Sequence, residues 1–323
     1  MLRFFCFILF FSFGISLYAT DDNTKNPILF TKAEVLNEYT TRIPFKLVDH
    51  LIVVEAALLN KTGSFIIDTG SENLILNKVH FSNVYEHQRK QAHTSGVFQN
   101  IEHVYEKNIK EIVLESLKLE NKNSDVIDLS HIEKSKKIKL LGVIGYSILK
   151  HYEVFIDLHL NQITLTKIDK FGNKLNKNVY LEKIADSLNF TLIKHTIVVN
   201  ATINYQKVRL GIDTASEFNQ INKSVNKQVL KYFIPKQRLT LKGASNNNKS
   251  IKVMAGKLHR VKLSNTIYFG PMLTVLTNLS KMNEAFGVDL DGILGYEFFA
   301  KKRTIINYQK EKLYFINYPL FTN

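Results

Sequence analysis

The sequence contains little cysteine, tryptophan, proline or glycine. Among its 323 residues there are one Cys, no Trp, 5 Pro and 14 Gly. The single cysteine, Cys6, lies in the apolar N-terminal run, so the rest of the chain has no disulfide, thiolate nucleophile or cysteine-ligated metal site. The low Pro and Gly counts exclude collagen-like and low-complexity segments. A chain without disulfides depends on its buried core, for which about 300 residues suffice.

Acidic residues are fewer than basic ones. The 29 Asp and Glu face 43 Lys and Arg, which gives a formal charge of +14. Such an excess can indicate a nucleic acid or an anionic surface as the partner. The lysines are scattered, and no patch combines arginine with aromatic residues. We therefore interpret the excess as compositional bias and expect no nucleic-acid partner. An envelope protein that binds an anionic polymer is the weaker alternative.

Long hydrophobic runs are absent except at the N-terminus. Arg3 precedes an apolar run from Phe4 to Leu17, and Ala19 follows. This order is typical of a secretory signal peptide, and the run is shorter than the roughly 20 residues of a membrane-spanning helix. We predict a signal peptide at residues 1–19, export to the periplasm or the medium, and no membrane span after cleavage. Leu17 is unfavourable three places before the cut, so an uncleaved N-terminal anchor remains the alternative.

The chain contains two copies of one unit. Residues 45–78 align without a gap to residues 190–223 at an offset of 145, and 14 of the 34 positions are identical. A second match, at an offset of 150, aligns residues 140–165 with residues 291–315. A period this long is far beyond that of a solenoid repeat and indicates duplication of a whole lobe.

The local patterns predict strands in both copies. Short β-branched, apolar runs bounded by Asn, Lys or Gly are typical of strands, and they occur at residues 51–58, 64–67, 153–158, 162–166, 196–203 and 208–212. One apolar stripe predicts a short helix at residues 222–233. We expect an all-β chain with few short helices, divided into an N-terminal segment (20–43), a first lobe (44–165), a polar connection (166–189) and a second lobe (190–318).

Each copy carries the same acidic cassette. Residues 65–71 read FIIDTGS, and residues 210–216 read LGIDTAS. An apolar run that ends in Asp-Thr-Gly predicts a carboxylate at the tip of a buried strand, where Gly allows a tight turn and close backbone approach. One such triplet also fits an ordinary surface turn. Its recurrence at one register of the repeat favours two aspartates, Asp68 and Asp213, that meet on a pseudo-twofold axis.

These cassettes resemble those of the retropepsin-like and pepsin-like aspartic proteases. The apolar-apolar-Gly triplets at residues 143–145 and 293–295, about 80 residues after each aspartate, extend the resemblance over residues 44–318. The similarity implies a closed β-barrel in each lobe, packed as a pseudo-dimer within one monomer. It also implies an endopeptidase that acts on a peptide or protein substrate and needs no cofactor or metal, with Asp68 and Asp213 as the catalytic pair.

The expected chemistry follows from placing two carboxyl groups about 3 Å apart, which makes them share a proton. The ionised member activates a water molecule, and the protonated member donates to the scissile carbonyl oxygen. The sequence leaves open which aspartate takes which role. By resemblance, Thr69 and Thr214 bond across to the opposite loop, and Ser71 and Ser216 bond the outer carboxylate oxygens. Ordinary turn capping is the alternative for these four hydroxyl groups.

The second cassette departs from the family pattern, because Ala215 stands where the first cassette has Gly70. A methyl group there would be strained if the position needed a positive φ. A decayed protein that binds peptides or ligands on the same scaffold is therefore the alternative to an enzyme. Small-residue hairpin tips are candidate substrate flaps in each copy, at Ser95 and Gly96 and at Gly243 and Ala244. Histidines at repeat-equivalent positions, His50 and His195, are interpreted as structural.

Overall fold

A computed structural model describes residues 32–82, 87–88, 104–114, 117–177, 182–242 and 250–318. Strands predominate, helices are few and short, and the prediction of an all-β fold is confirmed. Within these ranges no helix has the length and apolar character needed to cross a membrane. The candidate flap residues Ser95, Gly96, Gly243 and Ala244, and the predicted signal peptide, lie outside the described residues.

The first half of the chain contains twelve strands and two helices within the described residues. They are β1 (Glu34–Asn37), β2 (Thr40–Pro44), β3 (Lys46–Val48), β4 (Leu51–Leu58), β5 (Lys61–Ile67), β6 (Leu74–Asn77), β7 (His87–Gln88), β8 (Tyr105–Leu114), β9 (Leu117–Ile127), α1 (Ser130–Lys136), β10 (Leu140–Ile144), α2 (Tyr146–Leu149), β11 (Tyr152–Asp157) and β12 (Gln162–Lys167).

The second half repeats this order with small changes. Its elements are β13 (Ile184–Asn189), β14 (Thr191–Ile193), β15 (Thr196–Ile203), β16 (Gln206–Ile212), β17 (Asn219–Asn222), β18 (Phe233–Lys242), β19 (Ser250–Leu258), β20 (Val261–Lys262), β21 (Tyr268–Phe269), β22 (Met272–Thr277), α3 (Ser280–Phe286), β23 (Gly292–Leu294), α4 (Tyr296–Lys301), β24 (Arg303–Asn307) and β25 (Lys312–Ile316). The four helices follow corresponding strands in the two halves, so the duplication extends to the helices.

Strands of the first half form a closed six-stranded barrel. Its ring runs β4-β5-β10-β6-β9-β8, and a pairing of Ala57 with Val113 joins β8 back to β4. The strands β3 and β7 extend the same sheet. Val54, Phe65 and Leu76 point into the barrel and are almost completely buried. Closure leaves few unpaired strand edges, which a sheet of this size otherwise exposes.

Strands of the second half follow the same path but close differently. The hydrogen-bonded order is β18-β19-β22-β17-β23-β16-β15-β20-β21, with β14 on β15. The ring is completed where the chain continues from β19 into β20, which pairs with β15 through Ile203 and Val261. Between these strands Arg260 adopts a left-handed conformation with φ of 59°. A bend of the chain at this residue thus replaces the continuous strand that β8 provides in the first lobe.

A third sheet joins the two lobes and lies beneath their barrels. Its order is β1-β2-β12-β11-β24-β25-β13, and the central pair β11 and β24 comes from equivalent positions of the two copies. The main apolar cluster continues through this sheet, since it includes Phe65, Ile156 and Phe298. The joint sheet therefore fixes the relative position of the lobes.

The prediction of a helix at residues 222–233 is wrong. This segment forms a series of turns, in which the amide of Val229 donates to Asn226 and that of Phe233 donates to Leu230, each three residues back. The Asn226 side chain also accepts from the amide of Gln228. Local side-chain bonding of this kind competes with helix formation.

Candidate active site

Each aspartate follows a buried strand that is held from below by the neighbouring segment of its own lobe. The amide of Asp68 donates to the Ile144 carbonyl, and that of Asp213 donates to the Leu294 carbonyl, both at 3.0 Å. Gly145 and Gly295, which follow the supporting strands β10 and β23, make room for the acidic loops. A Cβ on Gly145 would lie 2.4 Å from the Asn73 carbonyl oxygen. The apolar-apolar-Gly triplets therefore support the acidic loops, as the resemblance implies.

The two loops are tied to each other by their threonines. The amide of Thr69 donates to Thr214 Oγ1 and the amide of Thr214 donates to Thr69 Oγ1, each at 3.0 Å. The hydroxyl groups then donate into the opposite lobe, from Thr214 to the Ile67 carbonyl at 2.8 Å and from Thr69 to the Ile212 carbonyl at 3.3 Å. Both threonines are buried. Their hydrogen-bond network therefore holds the loops at a fixed separation.

Asp68 and Asp213, 145 residues apart in sequence, meet at this junction. Asp68 acts on the Asp213 carboxyl group both through its charge and through a side-chain hydrogen bond. Asp213 also packs closely on the first acidic loop, because a Cβ on Gly70 would lie 2.8 Å from Cγ of Asp213. Both aspartates are half-buried, whereas the threonines behind them are fully buried. The carboxyl pair thus lies at the end of a rigid junction and remains open on one side.

The two carboxyl groups have different hydrogen-bond donors despite the sequence repeat. Oδ1 of Asp68 accepts from the amides of Gly70 at 2.7 Å and Ser71 at 3.1 Å. Its Oδ2 accepts from the Ser71 hydroxyl at 2.7 Å. Three donors therefore fix the orientation of the Asp68 carboxyl group.

Asp213 lacks the equivalent hydroxyl donor. Its Oδ1 accepts from the amide of Ala215 at 2.8 Å. The Ser216 hydroxyl instead donates to the Phe218 carbonyl at 2.7 Å and accepts from Gln220 Nε2 at 3.0 Å. The expectation that Ser216 bonds an outer carboxylate oxygen is therefore wrong. The reason is the Phe218 carbonyl, which accepts the hydroxyl proton in place of the aspartate, while Gln220 donates to the same hydroxyl oxygen.

The electrostatics of the pair follow this difference. Burial, and after it the negative charge of Asp68, raise the pKa of the Asp213 carboxyl well above its ordinary value. The donors at Ala215 and Ser216 act in the opposite direction and do not offset the shift. The Asp213 carboxyl therefore keeps its proton to a higher pH than an ordinary aspartate does.

Ala215 fits its position without backbone strain. Neither Ala215 nor Gly70 has a positive φ. The Ala215 side chain packs against an apolar cluster of the first lobe that includes Ile66 and Val143. The strain expected for a methyl group at this position is therefore absent, and the methyl group adds to the contact between the lobes.

No sequence pattern pointed to Tyr308, which lies close to the pair. Its ring is buried, and its hydroxyl has no hydrogen-bond partner in the described part of the chain. Burial, then the charges of Asp68, Tyr146 and Asp213, raise the pKa of Tyr308, so the phenol stays protonated. The repeat-equivalent residue at an offset of 150 is Leu158, so the repeat itself could not predict a polar group here.

The structure describes only the strands on either side of the two candidate flaps. Strands β7 and β8 flank the tip that contains Ser95 and Gly96, and β18 and β19 flank the tip that contains Gly243 and Ala244. The tips themselves are outside the described residues, so their role stays a prediction. Within the described ranges no three His, Cys, Asp or Glu side chains gather in a way that can hold a metal ion.

Comparison with known proteins identifies the fold. Among solved structures, the chain is similar to the aspartic proteinase from Irpex lacteus, with a TM-score of 0.52 and 12% sequence identity over 88% of this chain and 98% of that one. No family model and no curated protein matches the sequence. At this identity the likeness concerns the fold, which is that of the aspartic proteinases, with two barrel-like lobes over a shared sheet.

Proposed function

We propose that the protein is an aspartic-type endopeptidase that hydrolyses peptide bonds with a water molecule activated between Asp68 and Asp213. The observation that carries this proposal is the contact between the two carboxyl groups at the junction of the lobes. The aspartic proteinase fold agrees with it. A pair of half-buried acids in contact, one ionised and one protonated, is the arrangement that general acid–base hydrolysis requires.

The unequal hydrogen bonding assigns a role to each acid. Asp68, with three donors, is the base, and Asp213, which retains the proton, is the acid. Asp68 takes a proton from the attacking water while Asp213 gives its proton to the carbonyl oxygen of the substrate. The product of this step is a neutral tetrahedral diol, with no covalent bond to the enzyme.

The second step restores the starting state. The proton now on Asp68 passes to the leaving nitrogen, and Asp213 recovers a proton from a diol hydroxyl as the carbon–nitrogen bond breaks. The threonine network keeps the two acids in register through both steps, since each hydroxyl is anchored in the opposite lobe. Preorganisation of this kind removes the need to reorient polar groups during the reaction.

We also propose that the chain acts outside the cytoplasm, as a monomer, on peptide or protein substrates. The proposal is supported by the N-terminal sequence, with its signal-like run at residues 1–19, and by the absence of cysteine after Cys6. The internal duplication already supplies both halves of the site. A second copy of the chain is therefore unnecessary for activity.

Cleavage of an unstructured protein by the purified chain tests the function. We expect cleavage by the wild type and loss of at least about a thousandfold in kcat for Asp68→Asn and for Asp213→Asn, because either change removes the shared proton chemistry. The exposed Asp289→Asn is the matched control and should cleave normally. Cleavage that survives both substitutions in the pair would remove the proposed mechanism, and peptide binding without cleavage at any pH would favour a binding protein.

A further inference from the structure

Two repeat-equivalent turns connect each lobe to the acidic loop of the other. The turn between β3 and β4 consists of Asp49 and His50, and the turn between β14 and β15 consists of Lys194 and His195. Each turn reaches the loop of the opposite lobe near a glutamate four residues after the aspartate, which is Glu217 or Glu72. These histidines are therefore contacts between the lobes, placed close to the candidate acids.

The first turn is held by contacts of both His50 and Lys136. Nδ1 of His50 lies 3.1 Å from the Glu217 carbonyl oxygen, and its ring stacks on Tyr296 with centroids 4.0 Å apart. Lys136 Nζ bonds the Glu217 carboxylate at 2.6 Å and also reaches Asp49 at 3.2 Å. A permanent cation thus holds the second acidic loop from the first lobe.

At the second turn, no lysine within the described ranges bonds the Glu72 carboxylate as Lys136 bonds Glu217. At the position equivalent to Lys136 stands Phe286, which packs on the edge of the His195 ring at 5.1 Å. His195 is only 3% exposed, and within the described part of the chain neither ring nitrogen makes a hydrogen bond of good geometry, although the Gly70 main chain is near enough to favour the charged ring. Its Nδ1 lies 3.9 Å from Oε2 of Glu72. This buried imidazole lies beside a carboxylate and a main-chain group but bonds both less closely than the first turn bonds its partners.

We propose that His195 is a positioning residue of the Asp68 loop: in its protonated form it holds Glu72 and the Gly70 main chain from the second lobe and supports the singly ionised state of the aspartate pair. Both ring nitrogens are then donors, so the ring can bond the Glu72 carboxylate and the Gly70 main chain at the same time. The imidazolium takes the place that Lys136 occupies in the other contact.

The charges around His195 set the pH at which this contact forms. Glu72, Asp68 and the Gly70 main chain favour its protonated form, whereas burial, the largest effect, and the charge of Lys194 oppose it. The pKa of His195 is lowered as a result, so the ring is neutral at neutral pH and gains its proton in acid. Because the folded chain binds this proton less tightly than the unfolded chain, the histidine contributes stability above its unfolded pKa, about 6.5, which is lost as the pH falls.

The consequence for activity concerns the acid limb of the pH profile, where the aspartate pair takes up its second proton. A neighbouring cation opposes that protonation and extends activity to lower pH. The inference rests on the proposed function, so it needs one measurement that does not depend on cleavage. A substitution of Glu72 makes that measurement possible. The Glu72 side chain is 50% exposed, so the substitution changes the surroundings of His195 without opening the core.

The activity experiment compares kcat/KM across pH in the wild type, His195→Gln, His195→Lys and His50→Gln. We expect the acid limb of His195→Gln to move to higher pH by about half a unit or more. The permanent cation of His195→Lys should return the limb to its original position. His50→Gln is the matched control and should leave the limb in place. An unmoved limb in His195→Gln, or an equal shift in His50→Gln, overturns the proposal.

The independent measurement is the NMR titration of the His195 ring in the wild type and in Glu72→Gln. Loss of the carboxylate should lower the titration midpoint of His195, because the group that favours its charged form is gone. An unchanged midpoint overturns the contact, whether or not the protein cleaves peptides. If no form of the protein cleaves, the proposed function fails and the NMR result alone decides the contact.

Discussion

Single residues decide how two nearly identical loops come to differ. Ser71 and Ser216 occupy the same place in the repeat, yet only Ser71 donates to an aspartate. The difference originates outside the cassette, at the Phe218 carbonyl, which accepts from the Ser216 hydroxyl, and at Gln220, which donates to it. The two loops thus present different donors to their carboxyl groups, although their sequences alone predict a symmetric pair.

Removal of the two serine hydroxyls should have unequal effects. Ser71→Ala removes a donor from the carboxyl group proposed as the base, and we expect kcat to fall by about ten- to a hundredfold, in line with a charge-assisted hydrogen bond of roughly 1.5–3 kcal/mol. Ser216→Ala leaves the bonds of Asp213 unchanged and should alter kcat less than about threefold. Steady-state rates of the two variants check this. Equal losses would show that the two loops are equivalent in the working enzyme.

The positions of Gly70 and Ala215 should also respond unequally to exchange. Gly70→Ala places a Cβ 2.8 Å from Cγ of Asp213 and should abolish cleavage. Ala215→Gly removes a methyl group that packs on the first lobe, and it should leave cleavage intact while lowering the free energy of unfolding by about 0.5–1 kcal/mol. Rates and denaturant unfolding of both variants measure this. A faster Ala215→Gly enzyme would mean that the methyl group impairs the site.

At the scale of elements, the strands next to the site were predictable and the supporting turns were not. The alternation of apolar residues located β4, β15 and the ends of β5 and β16 close to their observed bounds. The apolar stripe at residues 222–233 led to a wrong prediction. Its spacing fits a helix, whereas the Asn226 side chain stabilises turns. The orientation of the Ser216 hydroxyl was also not predictable, because Gln220, which donates to it, is not part of the repeated motif.

The shared sheet depends on one buried cation. Arg303, at the start of β24, is 1% exposed and bonds Asp157 through Nη2 at 2.6 Å. It also bonds Glu182, in the segment before β13, at 2.5 Å. Asp157 is fully buried, so it has no access to water if the guanidinium is lost. This ion pair joins strands from both halves of the chain.

Arg303→Ala should therefore lower the free energy of unfolding by about 3–5 kcal/mol, the usual effect of leaving a buried charge unpaired. Glu182→Gln should have a much smaller effect, because that carboxylate is 37% exposed. Hydrogen bonds from Arg303 lower the pKa of Glu182, so its contribution is present above its unfolded pKa and is lost as the pH falls. Urea unfolding of both variants at neutral and acidic pH measures these effects. A small loss in Arg303→Ala would contradict the role of the pair.

At the scale of the whole molecule, duplication is the property that makes the site. The gapless repeat alone predicted that Asp68 and Asp213 meet, and the fold brings them into contact across the junction of the lobes. The sequence could not show how the lobes are joined, because the sheet order β12-β11-β24-β25 depends on pairing between distant strands. Nor could it show which aspartate holds the proton, since that depends on burial and on side chains outside the motifs.

The most direct test is an NMR titration of the Asp213 carboxyl group in the wild type and in Asp68→Asn. If the two acids share one proton in one site, Asp213 of the wild type protonates well above the ordinary range of an aspartate. Its midpoint then falls in Asp68→Asn, because the neighbouring negative charge is gone. An ordinary midpoint in the wild type, or the same midpoint in both proteins, would contradict the shared proton.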